Sequence, residues 1–145
     1  MRWVRLRNPD ERGSAAVEAA IGVPAFMLFV GLIIFAGRTA VAHQAVESAA
    51  ADAARSASIA RSSSTARSDA LEAARASLNN QELDCVNINI AVDTGDVSKP
   101  IGQAGMVRVT VECRVDLSDL SVPGTPGSRI VRASMTSPLD SWRER

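Results

Sequence analysis

The stretch Ala19–Gly37 holds nineteen consecutive residues without a charge. At about 1.5 Å per residue, a helix of that length covers about 28 Å, close to the hydrocarbon thickness of a bilayer. A chain of 145 residues then has room for one small domain beside a membrane segment. Pro24 lies inside the run and removes one backbone hydrogen bond, so a kink is expected there. Gly22 and Gly31 would let another helix come close, although they do not form a strict small-xxx-small motif.

Directly ahead of the run stands a carboxylate, Glu18. An acid at the end of a membrane helix is costly to desolvate and usually has a partner. The bland alternative is an interfacial side chain that reaches water. Arg2, Arg5, Arg7 and Arg12 precede the run and are partly offset by Asp10 and Glu11. Positive charge on that flank keeps it cytoplasmic, while Arg38 on the far side weakens the bias. The reading is a single-pass cell-membrane protein, N-terminus inside and C-terminal domain outside. Sixteen basic and sixteen acidic residues cancel over the whole chain, which argues against nucleic acid as a partner.

Beyond Arg38 the helical pattern continues. Ala42, Val46, Ala49, Ala53, Ala57 and Ala60 recur at spacings of three and four, a narrow apolar seam on a strong helix former. One helix over 14–60 is expected, with its membrane span at 19–37. The seam is read as ordinary packing against the chain's own domain rather than a dedicated oligomer surface. Ser62-Ser63-Ser64-Thr65 offers N-cap residues for a second helix over about 66–78, with Ala70, Leu71, Ala74 and Leu78 on one face and Asn79-Asn80 as its stop.

The period then switches to two. Val86, Ile88, Ile90 and Val92 alternate with polar or small residues, as do Val107, Val109, Val111, Cys113, Val115 and Leu117. A weaker strand is expected at 129–136, after the turn-rich Pro123-Gly124-Thr125-Pro126-Gly127. The fold class is therefore α+β. A long N-terminal transmembrane helix continues into a soluble helix, followed by a second short helix and a small three-stranded antiparallel sheet. With three Phe, two Trp and no Tyr, the outer domain cannot hold a large aromatic core.

Cys85 and Cys113 both fall on the exported side, where disulfides persist, so a bridge is expected; two buried free thiols are the alternative. Cys85 has the wrong parity for the apolar face of its strand. It belongs either to the connector before the strand or to a bulge, and the connector is preferred.

Enzyme chemistry is poorly supported, and no catalytic residue, metal or cofactor is expected. His43 is the sole histidine, and with Glu47 at i+4 it lacks the second histidine a zinc-protease helix needs. Ser62-Ser63-Ser64 reads as a joint, not a nucleophile.

Arg12-Gly13, Ala16-Val17-Glu18, Pro24 six residues later, and Phe35-Ala36-Gly37-Arg38 together resemble the TadE-like family of pseudopilins from tight-adherence pilus and secretion systems. The alanine-rich helix and the small cysteine-paired strand region also fit that family. The resemblance implies a leader peptide over 1–13, cut between Gly13 and Ser14 by a membrane prepilin peptidase. It also implies assembly roles for Glu18 and Pro24, and an extracytoplasmic head over 61–145. The partners implied are that peptidase, other pilin-like subunits of the apparatus and membrane lipid. Residues 14–145 are too many for the very short major pilins, which points to a minor, structural component. The competing expectation is an ordinary secretory signal cut after Ala42, where Ala40-Val41-Ala42 has the small-x-small form. It would release a secreted binding domain.

Overall fold

The structure, a computed structural model, describes residues 10–100, 102–120, 123–124 and 126–140. Expectations resting on Arg2, Arg5, Arg7 and most of the leader lie outside these residues. Alanine content and a long apolar run carry a single helix, α1 (Asp10–Ser58), through 49 residues. At about 1.5 Å per residue it is about 70 Å long. It starts four residues ahead of the expected Ser14 and runs through Pro24 without interruption. Gly13 costs about 1 kcal/mol in a helix interior. One such residue does not stop a helix that continues to Ser58 through many alanines.

α2 (Ser63–Asn80) begins earlier than the alanine pattern suggested, because Ser62 caps it. The Ser62 side-chain oxygen accepts from the Thr65 N–H at 3.2 Å, satisfying one of the free donors of the first turn. Its buried face is Ala66, Ala70, Ala74, Ser77 and Leu78. Every residue of the expected α1 seam is buried too, and so are Ala45, Ala50 and Ala54. The buried face of α1 is thus wider than the narrow stripe read from the sequence. It has to be, because one side meets α2 and the other meets the sheet. Ser77 donates to the Asp52 carboxylate at 2.8 Å, and Gln81 reaches the Ala45 carbonyl at 3.4 Å, tying α2 to α1.

The sheet is a meander in the order β1 (Cys85–Asp93), β2 (Met106–Asp116), β3 (Ser128–Pro138). Val107, Val109, Val111 and Cys113 of β2 are fully buried under the helices, with Val131 and Ala133 of β3 beside them. Opposite faces separate as the period-two pattern requires. On the outer face Glu112 and Arg132, directly paired across β2 and β3, form an ion pair, and Thr110 meets Ser134 at 3.0 Å. The β1–β2 loop is closed by Asp96, which accepts from the Met106 N–H at 3.0 Å and pairs with Lys99 at 2.9 Å. The Lys99 hydrogen bond, then that backbone donor, hold the Asp96 carboxyl below its ordinary value. A Cβ at Gly105 would come 2.8 Å from Leu139 Cδ1 and 3.0 Å from Asp96 Cβ, so a larger residue there has to displace the Leu139 side chain and press on the loop closure.

Two strand expectations need correction. Cys85 is not in the connector; it opens β1, opposite Val115, and the register shifts between Cys85 and Asn87. Val86 is the extra residue of this bulge, so it turns outward and is 67% exposed instead of joining the apolar face. The bulge returns Cys85 to the parity of Ile88 and Ile90. Cys85 and Cys113 are then diagonal neighbours on the inner face, bridged with their Cα atoms 5.4 Å apart.

Candidate functional site

The site read from the sequence is the first half of α1. The second half, from Ala42 onward, is the spine of the head's core. The first half is long and apolar enough to cross a membrane, and none of its most apolar window is buried within the protein. Phe26 is 62% exposed, and Phe29, Leu32 and Ile33 are exposed with it. A soluble monomer rarely shows so large a contiguous apolar surface. One long apolar N-terminal helix of this kind fits a single-pass membrane protein.

Near the start of this segment lie Gly13, Ser14 and Glu18, all exposed. A Cβ on Gly13 would meet nothing within 4 Å. Ser14 and Glu18 are four residues apart, about 6 Å along the axis and on the same side of the helix. Pro24 is not brought to that side. Six residues beyond Glu18, it sits about 120° away around the axis, closer to the face that the buried seam continues. Among the described residues, Glu18 has no ion-pair partner within the chain.

At the other end of the apolar run the structure adds something the sequence reading missed. Arg38 Nη1 donates to Asp119 Oδ2 at 2.5 Å, joining the helix exit to the turn after β2. Arg38 was visible as a flanking charge, but nothing marked Asp119 as its partner across 81 residues. Both groups are more than half exposed, so the bridge orients more than it stabilises. Nearby, the Ser118 N–H donates to Asp116 at 2.9 Å. Hydrogen bonds from Ser118, the backbone donor first, hold the Asp116 carboxyl below its ordinary value. His43 is exposed on α1, just past the apolar run.

The family model described as TadE-like protein matches residues 13–55. No curated protein and no solved structure matches the chain. The matched segment begins at Gly13 and ends at Arg55, inside the buried part of α1. It therefore takes in both the exposed apolar half and most of the alanine spine. Over residues 13–55, the membrane-length segment and most of the alanine spine, the chain is similar to TadE-like proteins.

Proposed function

We propose that this protein is a minor, pilin-like structural component of a tight-adherence pilus or related secretion apparatus, without catalytic activity of its own. The observation that carries the reading is the division of α1. One continuous helix has a bare apolar half that opens on Gly13 and Glu18 and an alanine half locked into a disulfide-bonded head. A subunit that leaves the bilayer to enter a protein assembly needs such a helix, because its apolar half must exchange lipid for neighbouring helices.

In this reading a prepilin peptidase cuts between Gly13 and Ser14. The bond lies in the first turns of α1, where helices fray and Gly13 lowers the cost of opening. The cut removes the arginine-rich leader and creates an α-amine on Ser14, an ammonium at neutral pH. Glu18, on the same side of the helix, lies within reach of that ammonium or of the one on an adjacent subunit. Neutralising the two together offsets the cost of placing both in a low-dielectric setting. Between subunits, only one stagger brings the charges together, which sets axial register. The arginines of the leader support an N-inside orientation.

A secreted domain cut after Ala42 is less well supported. Ala42 is only 2% exposed, and cleavage there would sever α1 where its packed spine begins. Fractionation separates the two. The proposed component is expected in membranes and in sheared surface fibres. Recovery of most of the protein from culture medium, free of both, would contradict it.

A further inference from the structure

α1 leaves the apolar run at Gly37, and the head is packed against it within one turn. Between this exit, the α2–β1 connector and the end of β2 lies an open groove of about 700 Å³. That size is within the roughly 300–1,000 Å³ of small-molecule sites. Its apolar lining includes Leu83, Leu117 and Val41, the last 63% exposed although it stands beyond the apolar run. Its polar lining is unevenly charged: Glu82, Asp84 and Asp116 contribute carboxylates, while Arg38 stands on the helix side with Asp119. Gly37 is both the last residue of the membrane-length segment and part of the groove wall. The mouth therefore lies at the level of the lipid headgroups on the head's side of the bilayer.

We propose that this groove binds the headgroup of a phosphoethanolamine lipid, with the phosphate toward Arg38 and the ammonium toward Glu82, Asp84 and Asp116. A primary ammonium has three N–H donors, and the groove offers three carboxylates not spent on Arg38. The guanidinium has five N–H donors, so it can keep Asp119 while facing a phosphate oxygen. Val41, about one turn farther from the bilayer than Gly37, and Leu83 line the groove beside the ethanolamine methylenes. Anionic headgroups without an amine are repelled by the excess of negative charge. A quaternary ammonium has no N–H to donate and is favoured by aromatic faces, which the described lining lacks. The proposal rests on the membrane reading of α1 and is independent of any role in a pilus.

The test uses the full-length protein in vesicles of equal phosphatidylethanolamine, phosphatidylglycerol and phosphatidylcholine. After extraction in mild detergent, retained lipids are counted by native mass spectrometry. Retention of the ethanolamine lipid is expected to exceed either other lipid by about tenfold, the scale of one or two charge-assisted hydrogen bonds. The double variant Glu82→Gln/Asp84→Asn is expected to lose that preference with an unchanged thermal melt. If it melts earlier than the parent, Asp116→Asn carries the test, because the amide oxygen can still accept from Ser118. Equal retention of the three lipids overturns the proposal, as does a preference that survives in a variant that melts like the parent. Failure of the protein to enter vesicles at all would overturn the membrane reading along with it.

Discussion

Glu18→Ala is expected to be cleaved after Gly13 as usual, to stay in the membrane, and to be nearly absent from sheared fibres. In the proposed assembly the variant keeps the ammonium that processing would create and lacks the carboxylate to pair with it. Stripping one partner from a desolvated pair costs about 3–5 kcal/mol, because the remaining charge is left without compensation. At about 1.4 kcal/mol per factor of ten, the lower figure already corresponds to about a hundredfold loss of incorporation. Glu18→Gln retains hydrogen bonding but not charge, and should fall between the two. Immunoblots of membrane and fibre fractions, beside the cleavage state, measure this. Normal incorporation of a normally cleaved Glu18→Ala protein would remove the assembly role of that residue.

The second large effect concerns the head. Its largest fully buried side chains are Leu78, Val46, Val107, Val109, Val111 and Cys113, and much of the rest of its core is alanine. Alanine lets helices and sheet approach closely but buries little apolar area per residue, so the hydrophobic contribution is modest. The Cys85–Cys113 bridge closes a loop with a sequence separation of 28. In the chain-entropy account, a loop of that size contributes about 3.5 kcal/mol. Stabilities of small domains are about 5–15 kcal/mol in all. The double variant Cys85→Ala/Cys113→Ala is therefore expected to lower the melting temperature of the full-length protein in detergent by roughly 15 °C. Circular dichroism gives the melt, and alanine avoids burying a hydroxyl at position 113, which is fully buried. A shift of only a few degrees would mean that the alanine and valine core is sufficient alone.

The features legible in the sequence were those written in period. The uncharged run, the alanine seam and the alternation of β2 each repeat a local geometry many times, so single exceptions do not obscure them. The parity conflict at Cys85 was legible as a conflict, but its resolution was not. A bulge at Val86 is decided by pairing with Val115 and Arg114, residues nearly thirty positions away that local pattern does not see. The extra width of the α1 face follows from the same limit, because Ala45, Ala50 and Ala54 look like neutral helix formers until two other elements press on them. The groove at the helix exit was invisible for a stronger reason. Its charges come from α1, the α2–β1 connector and the end of β2, and only the folded chain brings these to one place.

In the proposed reading, assembly depends on proteolysis at the lip of the bilayer, which creates the amine that Glu18 pairs with. The direct measurement is the N-terminal sequence of the mature chain after co-expression with an active prepilin peptidase. The mature chain is expected to begin at Ser14, and to stay uncut when the peptidase is inactivated. A mature chain that begins at Met1 or His43 in the presence of the active enzyme would contradict it.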